Sequence, residues 1–206
     1  MNGRRPELLI PASNLEVLKV AVMFGADAVY IGGEAFGLRA KAKNFSKEDM
    51  AAGIRFAHEH GVRVHVTVNI LAHNDDLEGV REYLCELKEL KPDALIIADP
   101  AIFEMAKEIC PDIERHVSTQ ANNTNYGTYN FWWKQGAKRV VSARELSLKE
   151  ISEIRKHIPE RWRLKVLFTV QCAFLIPDDV CSAISLPEEM RIREPVHTRA
   201  VGNMQL

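Results

Sequence analysis

Residues 63–70 read RVHVTVNI, and the period of that stretch sets the architecture. Val64, Val66, Val68 and Ile70 fall on every second position, so the segment is an extended strand with one buried face. Residues 75–90 follow with helical spacing. Residues 94–98, ALIIA, then form a continuous apolar run of the kind found in buried parallel strands. Asp99-Pro100 sits at the tip of that strand and opens a helix that runs to Cys110. One strand–helix–strand–helix unit is therefore legible in the middle of the chain.

The same alternation extends outward in both directions. Upstream, residues 7–11 (ELLIP) form a short strand. The helix after it starts at Asn14, carries Leu15, Leu18, Val22 and Met23 on one face, and closes at Gly25. Residues 28–31 (AVYI) are a strand ending in Gly32-Gly33, followed by a loop and a helix capped by Ser46 that ends at His60-Gly61. Downstream, strands at 115–119, 139–142 and 164–168 alternate with helices at 124–135, closed by Gly136, and at 147–157. Strands separated by helices pair in parallel through right-handed crossovers. Repeats of roughly 25–35 residues without a GxGxxG fingerprint favour a barrel over a doubly wound sheet. The glycine cluster GGEAFG at 32–37 lacks the fingerprint spacing, so Gly32 and Gly33 are expected to mark close backbone approach at a strand tip. The expected class is α/β: a TIM-type (β/α)8 barrel over residues 1–168, incomplete at about seven β/α units, with an irregular tail at 169–206.

Of 206 residues, 47% are hydrophobic and 27% charged, which describes an ordinary globular chain. A net charge of -1 argues against a strongly basic nucleic-acid platform. The opening MNGRRPELLIPAS has no apolar core of a secretory signal, and no run approaches the ~20 apolar residues that span a bilayer. A cytoplasmic location with no membrane partner is the expectation. Four cysteines (Cys85, Cys110, Cys172, Cys181) show no CxxC spacing, so neither a zinc knuckle nor a thioredoxin motif is present.

In a barrel of this type the chemistry gathers at the C-terminal ends of the strands. Those tips hold Ser13-Asn14, Gly32-Gly33-Glu34, Asn69 with His73, Asp99, Gln120 with Asn122 and Asn123, and Ser142 with Arg144 and Glu145. The densest is HVSTQANNTN at 116–125, where uncharged amides and hydroxyls can both donate and accept. Capping and turn formation use the same residue types, but the other tips share this polarity. The ligand-binding candidates are Asn69, Asp99, His116, Gln120, Asn122, Asn123 and Glu145, with Arg39 and Arg144 as cations for a carboxylate. A small polar metabolite is the expected ligand. His65 and His116 lie within strands and are expected to be packed or barrel-lining histidines rather than metal ligands. No HxH or HExxH pair supports a metal site. Trp132 and Trp133 are expected in outer-ring packing.

The stretches at 7–46 (ELLIPASNLEVLKVAVMFGADAVYIGGEAFGLRAKAKNFS), HVSTQANNTN and RVVSARELS closely resemble peptidase family U32, the collagenase-like proteins. The likeness runs through residues 7–168. It implies a TIM-type barrel and, in the better-defined members, an accessory role in oxygen-independent hydroxylation. The implied targets are the tRNA wobble uridine (with prephenate as donor), a ribosomal RNA cytidine, or ubiquinone precursors. Those members resemble iron–sulfur proteins with four cysteine ligands to a [4Fe–4S] cluster. The alternatives are a collagenase-like peptidase or an inactive fragment. This chain carries no HExxH, no paired catalytic carboxylates and no supported Cys–His arrangement.

The family pattern breaks near Phe168. A stretch resembling HGAMCxSYSGRC, and later GACTHPC, is expected there, whereas the chain reads TVQCAFLIPDDVCSAIS. Ordinary codons for residues 168–206, read from each third base, give HGAMCISYSGRCLLSNF and then GACTHPC. The tail is therefore expected to be the family motif in a shifted frame, and sequencing the coding DNA for a one-base change near residues 166–168 tests this. On that reading Cys172 and Cys181 are coincidental and this chain holds no cluster, since three to four thiolates are needed. The unpaired edges of an incomplete barrel would invite an oligomer or a partner subunit. Residues 187–192 could form a short helix.

Overall fold

The computed structural model describes residues 7–33, 35–37 and 44–159, together with the backbone of a last strand at 163–165. Glu34, Arg39, Cys172, Cys181 and the whole 169–206 tail lie outside the described residues.

Seven strands form one parallel sheet: β1 Leu9–Pro11, β2 Ala28–Gly32, β3 Arg63–Val68, β4 Ala94–Ile97, β5 Glu114–Val117, β6 Arg139–Val141 and β7 Arg163–Lys165. Their order in the sheet is their order in the chain. A doubly wound sheet would reverse direction partway, so sequential order marks barrel-type winding, as the alternation predicts. Six helices make the crossovers: α1 Leu15–Met23, α2 Lys47–Glu59, α3 Leu77–Leu90, α4 Pro100–Ile109, α5 Tyr126–Gln135 and α6 Leu148–Lys156. Among the described residues β1 and β7 each pair on one side only.

Local chemistry sets most helix starts. The Asn14 side chain accepts from Val17 N at 2.9 Å, and the Ser46 hydroxyl accepts from Asp49 N at 3.2 Å. Each satisfies one of the four orphan amides of a first turn. Gly25 (φ +91°) and Gly136 (φ +94°) close α1 and α5 in the left-handed region that glycine tolerates best. At α6, Ser147 and Glu150 cap each other reciprocally, and the Ser147 hydrogen bonds hold the Glu150 carboxyl below its ordinary range.

Several boundaries differ from the sequence reading: β3 ends at Val68 rather than 70, β4 at Ile97 and β6 at Val141, and at three further places a side chain intercepts the backbone. A 3-10 turn at Asn74–Asp76 precedes α3, with Asp76 accepting from His73 N at 2.8 Å. Strand β5 stops at Val117 because the Ser118 hydroxyl accepts from Gln120 N at 3.2 Å and opens the turn Thr119–Ala121. Helix α5 begins at Tyr126 because Asn125 is held extended as its cap, accepting from Thr128 N at 3.1 Å.

One face of the sheet packs on the helices. Val29, Ile31, Val64, Val66, Leu95, Ile97, Val117 and Val140 meet Leu18, Ile54, Val80, Leu84, Ile102, Phe103 and Trp132 in one continuous core. Cys110 belongs to that core, its thiol donating to the Ala106 carbonyl at 3.2 Å. Burial pushes this thiol up to about 11, with Arg115 and Lys88 opposing. The thiolate is the reactive species, so Cys110 should stay unalkylated by iodoacetamide at pH 8 in the native chain. Exposed Cys85 should react. Peptide mass spectrometry reads both sites, and rapid native alkylation of Cys110 would contradict the burial.

Candidate functional site at the strand tips

The other sheet face carries a polar and charged cluster, with Ala28, Tyr30, Ala94 and Ile96 of β2 and β4 interleaved. Arg63, His65 and Thr67 alternate with the buried valines of β3, and Glu114 with His116 and Arg139 continue the pattern on β5 and β6. Glu7, just ahead of β1, joins two of them. Its carboxylate lies 2.8 Å from Arg139 Nη2 and 3.2 Å from Arg63 Nη2. One side chain thus links β3 to β6, which requires the sheet to curl around it. Beside this floor, His116 Nε2 lies 3.0 Å from Glu114 Oε2, and the His65 and His116 rings meet edge to face at 4.9 Å. Arg139 is 4% exposed, and its Nη1 has no hydrogen-bond partner among the described residues.

Above the floor, the tips of β5 and β6 are bonded together. The Thr119 hydroxyl donates to the Ser142 carbonyl at 3.1 Å, and Tyr129 OH donates to Ser142 Oγ at 3.0 Å. Burial raises the Tyr129 hydroxyl pKa while the Ser142 bond opposes it. Ala143 N donates to the Asn123 carbonyl at 3.3 Å, and Trp132 Nε1 donates to Asn123 Oδ1 at 2.9 Å. Asn123 Nδ2 is left buried without a partner among the described residues. Such a donor costs free energy unless something accepts from it, so it is a natural point for a ligand oxygen.

The structure divides the predicted candidates. Gln120 and Asn122 are exposed at the β5 tip, Asn122 in the left-handed region (φ +52°) that asparagine tolerates. Arg144 and Glu145 are exposed on the loop after β6, and Asn69 is half-buried just after β3. Asp99 is occupied structurally: one oxygen caps α4 through Ala101 N at 2.7 Å and Ile102 N at 3.2 Å, the other accepts from Ala72 N at 3.2 Å. His116 sits in the barrel interior, 2% exposed, below the rim. Gly32 and Gly33 do mark close approach, to protein: a Cβ on Gly33 would overlap the Tyr83 hydroxyl and lie 3.2 Å from Met50 Cε. Trp132 is buried as expected, and its indole N–H also locks Asn123.

Sequence reasoning missed Glu7, Arg63, Arg139 and Tyr129. The available signal was strand parity: Arg63, like Glu114 on β5, shares the face of the neighbouring histidine rather than of the valines. At the opposite end, a cleft of about 610 Å³ is lined by Arg63, His65, Lys88, Asp93 and Glu114 among others. That is the face of a barrel devoted to stability, so the tips remain the candidate site. Among the described residues no three His, Cys, Asp or Glu side chains could hold a metal. Of the four cysteines, Cys85 on α3 is exposed and Cys110 is buried.

Sequential parallel strands, a charged cluster in the interior and polar tips define a TIM-type β/α-barrel protein. Within that class the chain belongs to peptidase family U32, whose model matches residues 13–185. It is 45% identical to tRNA hydroxylation protein P1 of Bacillus subtilis over 163 residues, covering 77% of this chain and 39% of that protein. It is 38% identical to the 23S rRNA 5-hydroxycytidine C2501 synthase of Escherichia coli over 156 residues, 76% of this chain and 23% of that protein. A solved U32 peptidase structure superposes with a TM-score of 0.66 at 17% identity, covering 81% of this chain and 70% of that one. The chain thus spans about two fifths of the first relative's length. No helix among the described residues is long and apolar enough to cross a membrane.

Proposed function

We propose that this chain is the barrel portion of an RNA-hydroxylation factor, acting on tRNA or rRNA, whose strand tips bind a small carboxylate metabolite. The observation that carries it is the 45% identity to a tRNA hydroxylation protein through the barrel that bears the tips. Asn123 Nδ2 and exposed Gln120 would bind hydroxyl or carbonyl oxygens, and Arg144 a carboxylate. Arg39 is a second cation of the proposal, outside the described residues. Prephenate is the metabolite to test. A [4Fe–4S] cluster is not proposed for this chain, because Cys172 and Cys181 stand outside the HGAMCxSYSGRC and GACTHPC pattern; a stoichiometric yield of iron and sulfide from reconstituted protein would overturn that.

Nucleoside mass spectrometry of tRNA and rRNA from a strain lacking the gene tests the activity. Loss of a hydroxylated nucleoside supports the proposal. Unchanged RNA together with lost gelatin cleavage would replace it with the peptidase reading that the family's name carries. For the metabolite, prephenate at 100 times its dissociation constant stabilises the native state by about 2.7 kcal/mol. For a chain of this length that raises the melting temperature by roughly 5–10 °C. No shift at millimolar prephenate would remove it as the ligand.

A further inference from the structure

Charge is unevenly distributed around the barrel. From residue 126 to 158, six basic side chains outside the buried interior (Lys134, Lys138, Arg144, Lys149, Arg155, Lys156) face three acidic ones (Glu145, Glu150, Glu153). From residue 75 to 90 the balance reverses, with six acidic and two basic side chains. The net charge of -1 conceals a basic α5–α6 flank and an acidic α3 flank.

The basic flank also carries exposed aromatics. Tyr126 is 47% and Phe131 48% exposed. The Tyr126 ring stacks on His157 at 4.5 Å, with 18° between planes. That stack is braced twice: His157 Nδ1 donates to the Glu153 carbonyl at 2.9 Å, and Asn130 Nδ2 donates to the His157 carbonyl at 3.3 Å. Tyr126, Asn130 and Lys134 follow one another at helical spacing on α5, and Lys149 and Lys156 on α6. The Lys156–Glu153 ion pair (3.1 Å) is exposed, so water and salt screen it and the ammonium can turn to another anion. Rigid exposed rings beside mobile cations suit single-stranded nucleic acid, where bases stack and phosphates meet lysines.

We infer that the α5–α6 face is the RNA-contact surface of this chain. Lys134, Lys149 and Lys156 meet phosphates, and the Tyr126–His157 stack receives an unpaired base. The inference rests on the RNA-directed function proposed above and names the surface that serves it. Tyr126 opens α5 shortly after the Gln120–Asn122 tip, so the inferred surface begins close in the chain to the candidate site.

Fluorescence anisotropy of the full chain with deacylated bulk bacterial tRNA tests the surface. The expected result is salt-dependent binding by the unaltered chain. Lys149→Glu with Lys156→Glu should weaken it at least tenfold and lower the salt slope by about two. Tyr126→Ala should cost on the order of tenfold and Tyr126→Phe little, because stacking needs the ring. Lys107→Glu on α4 is the comparator and should bind as the unaltered chain does. Patch variants that bind like the unaltered chain, or a comparator that weakens equally, would overturn the inference. Should Tyr126→Ala fail to fold, the lysine reversals decide alone. If a deletion strain loses its hydroxylated nucleoside while the patch variants bind normally, the functional reading stands and the surface falls. No tRNA binding by the unaltered chain removes the surface, and the nucleoside analysis then judges the function separately.

Discussion

Glu7→Gln should lower the melting temperature by roughly 6–12 °C, equivalent to about 3 kcal/mol for a chain of this length. The amide keeps the shape but removes the charge that Arg139 and Arg63 share. Among the described residues Arg139, 4% exposed, would then be a buried cation that has lost its carboxylate at Nη2 and has no partner at Nη1. Breaking a buried pair from one side costs about 3–5 kcal/mol, because the surviving charge has lost both water and partner. The lower end applies here, since Glu7 keeps 21% and Arg63 38% of its side chain in solvent. Adding Arg139→Gln to Glu7→Gln should recover at least about 1 kcal/mol, because the uncompensated charge is then gone. Thermal or urea melts of the four proteins complete the cycle. Strict additivity would mean that the two side chains do not depend on each other and that something else curls the sheet.

A collision rather than a lost contact lies behind the second large effect, Gly33→Ala. The added methyl would overlap the Tyr83 hydroxyl and press to 3.1 Å from Tyr83 Cζ and 3.2 Å from Met50 Cε. Tyr83 cannot simply swing away, for Phe36 lies against its ring at 5.7 Å. Phe36 itself holds φ +59°, a conformation aromatic residues seldom adopt. Overpacking at such a site costs about 1–3 kcal/mol. Tyr83→Phe alone should be neutral or slightly stabilising. Its hydroxyl is buried without a hydrogen-bond partner among the described residues, and burial together with Glu86 drives its pKa far up. In the Gly33→Ala background the same change should restore at least about 1 kcal/mol by clearing the overlap. Denaturant midpoints of the cycle measure this. Absence of coupling would show that the glycine is needed for another reason, such as the Gly33–Phe45 bridge beside it.

Strands and helices were readable because their causes are local. Val64, Val66 and Val68 declare a two-residue period within six positions, and Asn14, Ser46 and Ser147 each cap an amide three residues on. The errors are local too. At Ser118 and Asn125 the residue types were right, but a side chain ended one element or delayed the next by two residues.

The candidate site was legible by composition and not by role. HVSTQANNTN stood out as a polar strand tip, yet its members do different work. His116 is buried in the interior, Ser118 and Asn125 cap turns, and Asn123 binds a tryptophan nine residues on. Asp99 sits at the β4 tip, yet three backbone amides already use its carboxylate. A side chain's type limits what it can bond, whereas its position decides which partner reaches it first.

By itself, then, the sequence determined the parallel β/α alternation, the barrel class and the U32 likeness, all of which depend on periods and short motifs. Only the tertiary structure decided that Glu7 bridges Arg63 and Arg139, that Tyr83 fills the space beside Gly33, and that Tyr126 on α5 stacks on His157 at the end of α6. Those pairings join residues far apart in the chain. Curling and packing of the sheet bring them together, and no local period encodes that.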